Sequence, residues 1–524
     1  MASTFHSIET AKRSLFTQTA ALSTTGHNIA NANTEGFSRQ TVQMKASRPM
    51  EAYGLNRSLA PGQLGTGVEF TSIERVREAF LDHQFRGENS SLGSWATQAN
   101  TLDKLQAIIN EPSETGIRTV LDNFWNSFSE LSKNPEDPTA RKVVKQTAES
   151  LADALNHMSR QLDNLDRDLT TNVSVKASEI QSYINSISDM NRAITRVESL
   201  GNHANDLRDQ RDLLTDKLSK IINITVVDTP QGYNVSLGGQ ALLEGAGTPQ
   251  TVDSAFLTGA YSSGMMTGGE VHGMLISRDS FVSDYRNQIN NLANTLMNGD
   301  VQVPIPAGSV PPEGSVFTVD AIFMVNGQPT TVTAGQPVPA NAVLTTGITT
   351  VVKGFNGLHQ LGYTMDGAAD PGPPFFAGTG AGDIALNPEI ASNPDKIATS
   401  MRLDVTTGNV VRGNNTLASL LANLKISKFT LPGSNNEATV DALFSSMVGQ
   451  LGVRGQEANR QTENASFLTT QVNNNRQSVS GVSLDEEMGN MIKFQHAYSA
   501  AARFMTTFDQ LLDKLINSTG VVGR

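Results

Sequence analysis

Few residues in this chain are arranged for chemistry. Its eight histidines are scattered, cysteine is absent, no His-Glu-x-x-His pair occurs, and no Asp/Asn loop has calcium spacing. Thiol nucleophiles, thiolate metal sites and metal catalysis are therefore set aside. Neither Gly-x-Ser-x-Gly nor Gly-x-x-x-x-Gly-Lys-Ser/Thr is present, which removes the nucleophile elbow and the P-loop. Two places remain. Gly378-Thr379-Gly380-Ala381-Gly382 offers flexible backbone N–H groups to a phosphate, but it follows Pro371 to Phe376 without a strand-turn-helix context and reads as a plain loop. Asp485, Glu486 and Glu487 offer three carboxylates, yet neighbouring helical positions point different ways. An acidic run at a helix start suits the positive end of the dipole instead. The expectation is a chain with no catalytic residue, no metal and no cofactor, and not an enzyme.

What the residues do support is helix packing. Ile8, Leu15, Leu22 and Ile29 recur every seven residues, and the stripe ends in Asn28, Asn31, Asn33 and Gly36, residue types that tolerate the left-handed turn closing a helix. Near the other end Leu484, Met491, Tyr498, Met505 and Leu512 repeat every seven. Phe494, Ala501, Phe508 and Leu515 repeat likewise, offset by three, giving the a and d positions of one coiled-coil helix. Ser483 followed by Glu486 reads as its capping box. A lone pair of such helices has a thin core: about 1.5 to 3 kcal/mol per buried large side chain stands against about 1 to 2 kcal/mol per residue ordered. Neighbouring subunits are expected to complete it, with the ends loose in the monomer and ordered on assembly.

Between these ends, Asp137-Pro138 starts a helix that meets no Pro or Gly until Gly201. Leu151, Leu155, Met158, Leu162, Leu165 and Leu169 mark its stripe, which slips near Val173 and resumes through Ile180, Ile187, Met190, Ile194 and Val197. Sixty-odd residues would extend roughly 90 Å, so the molecule is elongated or the helix breaks. Short β-branched runs with a Pro230-Gln231-Gly232 turn occupy Ile224 to Leu243, and helix returns from Gly269 to Met297. Residues 303–353 then hold seven prolines, a strand-like Val316 to Val325 and a hairpin signal at Asn326-Gly327. Helix resumes near Asn435 and breaks around Ser478 to Val482.

The fold class is α+β multidomain: terminal coiled-coil helices, a long α-helical bundle, and β-rich domains inserted in the middle of the chain. The expected division is 1–36 with 480–524 as a terminal coiled-coil domain, and 37–302 with 432–479 as a long-helix domain carrying a small β section near 224–260. An inserted Pro-rich β domain covers 303–355, and a mixed β and irregular segment covers 356–431. At 524 residues several domains are expected, and a net charge of −12 without a basic cluster argues against nucleic acid as a partner. Met1 to Phe16 lacks a signal-peptide core, and no stretch approaches the ~18 apolar residues of a membrane span. Taken alone this points to the cytoplasm, unless export uses a channel that needs no cleaved apolar signal.

Leu22-Ser23-Thr24-Thr25-Gly26-His27-Asn28-Ile29-Ala30-Asn31-Ala32-Asn33-Thr34-Glu35-Gly36-Phe37-Ser38-Arg39-Gln40 resembles the N-terminal signature of the flagellar rod, hook and hook-associated family. Ser480 to Glu487, followed by Met491-Ile492-Lys493-Phe494-Gln495-His496-Ala497-Tyr498, is similar to its C-terminal signature. Rod and hook members join such ends to mainly β middles, whereas the long helices here resemble a hook-associated junction member. Gly268 to Leu275 adds to that likeness, while the Pro-rich block separates Asn356 to Tyr363 from the helix they usually follow, so the likeness excludes the insert. The resemblance implies an extracellular structural subunit at the hook-filament junction, exported through the flagellar type III apparatus without a cleaved signal peptide. Its implied partners are the hook protein, a second junction protein, copies of itself in a ring, and a chaperone on the C-terminal helix. The assembly residues it implies are the two stripes together with Asn28, Asn31, Asn33, Gly36 and Phe37. The rival readings are a hook or distal-rod subunit, and an adhesin or enzyme displayed through the insert.

Overall fold

The computed structural model describes residues 5–49, 65–109, 116–366, 369–404, 407–431 and 436–518. Expectations touching 1–4, 432–435 and 519–524 lie outside these residues. The first elements are α1 (His6–Ala30), β1 (Gln40–Ala46), β2 (Val68–Arg75), α2 (Ala79–Ile109), α3 (Ile117–Lys133), α4 (Pro138–Glu198) and α5 (Asn205–Ile221). There follow β3 (Ile224–Thr229), β4 (Gly232–Leu237), β5 (Gln240–Leu243), α6 (Ser254–Ser262), α7 (Glu270–Ile276) and α8 (Ser283–Asn298). The β-rich middle holds β6 (Asp300–Ile305), β7 (Ala321–Val325), β8 (Gln328–Val332), β9 (Val343–Leu344), β10 (Ile348–Lys353), α9 (Gly354–His359), β11 (Phe376–Ala377) and β12 (Ala385–Leu386). Last come α10 (Pro388–Ser392), α11 (Thr416–Asn423), β13 (Phe429–Thr430), β14 (Glu437–Ala438), α12 (Val440–Ser480) and α13 (Leu484–Ser518).

Contacts divide the chain into two compact units, one of Met1–Ala96, Val173–Gly273 and Gln461–Arg524, the other of Thr97–Asn172 and Met274–Arg460. Helices α2, α4, α7 and α12 contribute residues to both. Asp137 accepts the backbone N–H of Thr139 at 2.8 Å just ahead of Pro138, an N-terminal cap with Pro at the first position. The 61-residue α4 does not break. Its buried positions step by three and four, with a run of three fours from Leu165 through Leu169 and Val173 to Ala177. That stutter re-phases the stripe at the residue where the helix passes from one unit to the other.

In the second unit, α3 turns Phe124, Trp125 and Phe128 onto Phe355, Phe375 and Phe376, a cluster of offset and edge-on rings with centroids about 5 to 6 Å apart. His359 packs edge-on to Phe375. The Nδ1 of His359 lies 2.6 Å from the Pro373 carbonyl, and its Nε2 accepts the Ala398 N–H at 2.8 Å. The Gly-rich loop is closed on itself: the Asp383 carboxylate accepts N–H groups of Thr379 and Gly380 at 2.8 to 3.0 Å. The chain's own anion occupies the donors that a phosphate would need.

Strand β6 pairs antiparallel with β10, Ile305 opposite Ile348, so the segment between them leaves and returns at neighbouring positions. Within it β7 and β8 form the hairpin anticipated at Asn326-Gly327, both residues with positive φ (51° and 79°) as a primed turn requires. Of the strand-like stretch before it, only Ala321–Val325 is a strand; Val316 makes an isolated bridge to Pro337. In the first unit β3, β4 and β5 form an antiparallel meander around the Pro230-Gln231 turn. Helix from α7 to α8 is continuous but contains a π section at Ser277–Val282, which no periodicity argument anticipates.

Candidate assembly interface

Helix α1 lies along α13 and against the β1-β2 hairpin. Squeezed from two sides, its fully buried positions are small or polar: Ala11, Thr17, Ala21, Thr24, Thr25 and Asn28. The heptad residues Ile8, Leu15, Leu22 and Ile29 are only half-buried. On α13, Met491, Phe494, Met505, Phe508 and Leu512 are half-buried and Ala501 is buried, whereas Leu484, Tyr498 and Leu515 are exposed. Met488, Ile492, Phe504 and Leu511 are exposed too. A helix in its final surroundings does not leave so much apolar surface to water.

The base of this pair is fixed by polar contacts. Helix α1 ends at Ala30, with Asn28 inside its last turn. The Asn28 amide pairs with the backbone of Gln40 in both directions, donating to its carbonyl at 2.8 Å and accepting its N–H at 3.0 Å. It also donates to the buried Glu487 carboxylate at 3.1 Å, so one side chain ties α1, the start of β1 and the first turn of α13. Arg39 reaches Glu486 at 2.6 Å and donates its backbone N–H to the Ser480 carbonyl. Ser483 caps α13 weakly, its Oγ accepting the Glu486 N–H at 3.4 Å; the Glu486 side chain goes to Arg39, so the expected capping box is half made. Asn31 takes φ −103° as the α1 cap. Among Asn28, Asn31, Asn33 and Gly36, only Gly36 is left-handed (φ +82°), and it sits on Leu213. Phe37 meets His27 edge-on at 5.4 Å.

Beneath the anchor is a core of ions rather than hydrocarbons. Asp209, Asp212 and Asp216 lie on one face of α5 and are all buried. Arg75 bonds Asp209 and Asp212 at 2.7 and 2.8 Å, Arg77 grips Asp82 with two bonds, Arg86 bonds Asp216 at 2.9 Å, and Arg476 of α12 bonds Asp216 at 2.5 Å. Tyr233 donates to Asp212 and stacks under Arg211, whose guanidinium is 3.4 Å from the ring centre. Burial alone would raise the Asp212 carboxyl, but Arg77, Arg75 and Arg86 hold it well below the usual carboxylate range. Asp209, for which burial dominates, is raised despite Arg75. The Tyr233 hydroxyl is pushed up to about 12 by burial and by Asp212. Such networks add little net stability, but removing one partner leaves a buried charge uncompensated at a cost of about 3 to 5 kcal/mol. Sequence reading missed them, although aspartates spaced three and four apart on a polar helix are a visible signal.

Three family models match the chain: flagella basal body rod protein over 8–37, flagellar basal body rod FlgEFG protein C-terminal over 473–518, and flagellar hook-associated protein FlgK helical domain over 102–299. The paired terminal helices thus have the character of a flagellar rod and hook-type structural protein. Flagellar hook-associated protein 1 of Bacillus subtilis is 36% identical over 535 residues, covering all of both chains. That of Escherichia coli is 24% identical over 97% of this chain and 99% of its own. The chain belongs to the flagellar hook-associated protein 1 family. A solved flagellar hook junction protein FlgK from Burkholderia pseudomallei shares the fold, with TM-score 0.52 and 15% identity over 76% of this chain and 100% of that one.

Proposed function

We propose that this chain is a non-enzymatic structural subunit of the bacterial flagellum that forms the junction between hook and filament and lets filament subunits assemble. The observation that carries this reading is the exposed apolar side of α13, including Leu484, Tyr498 and Leu515, on a helix whose first turn is held by Asn28 and Arg39. A firmly based helix with an unfinished face is built to be completed by other subunits. In that role Ile8, Leu15, Leu22 and Ile29 of α1, with Met491, Phe494, Met505, Phe508 and Leu512 of α13, pack between copies, while Asn28, Asn31, Asn33, Gly36 and Phe37 hold the base. We assign 1–36 with 480–524 to this assembly role. Its partners are the hook protein, a second junction protein and further copies in a ring. Before assembly an export chaperone covers α13, whose apolar face would otherwise aggregate. The chain leaves the cell through the flagellar export apparatus with its N-terminus uncleaved. Removing residues 484–524 tests this. Cells with hooks, no filaments, and filament subunits in the medium are expected; normal filaments would refute the junction role.

A further inference from the structure

Beside the anchor, in the first unit, lies a groove of about 550 Å³, within the roughly 300 to 1,000 Å³ range of clefts that hold a ligand. Phe37, Phe85, Leu213 and Val482 give it an apolar floor among polar walls that include Glu35 and Asn473; all four are only half-buried, and the Arg476 guanidinium lies 4.1 Å from the Phe85 ring centre. Lys217 and Lys220 stand on its rim, about half exposed, and their nearest carboxylates, Glu35 and Glu270, are each 3.8 Å away. That is well beyond the roughly 2.7 to 2.9 Å of a made charge-assisted bond. Arg476 and Asp216 also line the groove but are committed to the buried network. The chain as a whole carries −12, so two loosely paired lysines over an apolar floor mark a place for an acidic, apolar segment.

One segment of the chain has that chemistry. In the first turn of α13, Leu484 and Met488 are one helical turn apart on the same side, 49% and 51% exposed. Asp485 beside them forms no ion pair among the described residues, whereas Glu486 and Glu487 are held by Arg39 and Asn28. In its own copy this turn leaves Leu484 and Met488 in water, so they do not fill the groove there. We infer that the groove receives the Leu484-Asp485-Met488 turn of a second copy of this chain, with Asp485 between Lys217 and Lys220 and the two apolar side chains on Phe37 and Val482. The contact joins different surfaces of identical subunits, the kind that propagates around a ring. It rests on the proposed assembly role and adds the specific surfaces that meet.

Because the chain has no cysteine, the test is clean. Copies carrying Lys220→Cys and copies carrying Asp485→Cys are expressed together, flagella are isolated, and a short bismaleimide is added. A crosslinked species of twice the chain mass is expected only when both variants are present. Lys217→Glu with Lys220→Glu should lower the amount retained in isolated flagella roughly tenfold through like-charge contact, and adding Asp485→Lys should restore it. Incorporation at wild-type levels with neither mixed crosslink nor charge-swap rescue would overturn this contact while leaving the assembly role standing. Absence of the unmodified chain from isolated flagella would overturn the assembly role and this contact with it.

Discussion

Asn28 shows how much one side chain can hold. Asn28→Ala leaves Glu487 buried without its donor and the Gln40 backbone unpaired, at a cost of about 2 to 3 kcal/mol. The loss is expected locally: hydrogen exchange over the first turns of α13 should speed up roughly 30- to 150-fold, with the aromatic cluster around Phe355 unchanged. Asn28→Asp, which sets a carboxylate against Glu487, should be worse. His359 supplies a separate test. Burial pushes its imidazole down to about 4, whereas an unfolded histidine takes its proton near 6.5. The neutral ring therefore contributes its full stability above about 6.5, and that contribution fades as pH falls toward 4, by up to about 3 kcal/mol. Urea unfolding of the wild type and His359→Gln at pH 7.5 and 4.5 checks this; an equal acid loss in both chains would remove His359 as the cause. Asp212, held low by its arginines, contributes stability that is complete above about 3.9 and lost only below it, whereas Asp209, raised by burial, changes stability above about 3.9 and in the opposite sense. The partners of Asn28 and His359 were not legible in the sequence, and of the aspartates only their spacing was. Asn28 looked like a turn residue because its type and position say nothing about a partner 459 residues away.

At the scale of elements the long helices were legible, with the packed face of α4 readable and that of α1 not. The stripe of α4 and its slip near Val173 could be read because large apolar residues mark the face. The buried face of α1 was hidden because alanine, threonine and asparagine fill it; seven-residue spacing of Ile8, Leu15, Leu22 and Ile29 drew attention to side chains that stay half in solvent. The terminal break, expected around Ser478 to Val482, falls at 481–483, and the hairpin at Asn326-Gly327 followed from its dipeptide. The π section and the start of β6 left no such mark. Gly36 is where backbone chemistry decides the joint between α1 and β1. An added Cβ would meet the Leu213 Cβ at 3.0 Å in a left-handed backbone. Gly36→Ala should cost about 1 to 3 kcal/mol and lower the melting temperature, while Gly26→Ala, with open space around it, should not.

For the whole molecule, the family was legible from two short signatures at the ends, and the helices between them separated a junction member from rod and hook relatives. The β-rich middle said less, because its residues answer to each other rather than to the terminal helices. Its mode of attachment has a practical consequence. Ile305 and Ile348 are paired neighbours on adjacent strands, so the span between α8 and α9 does not depend on how much chain lies beyond them. A tag spliced between Asn326 and Gly327 should cost about 1 kcal/mol or less in loop closure and leave motility intact, as swimming assays of the tagged strain would report. Phe317, Phe323 and Leu344 tie the near part of the segment into the shared core, so it is the far turn alone that works as a doorstep: chain can be added there while the helices on either side stay where they are.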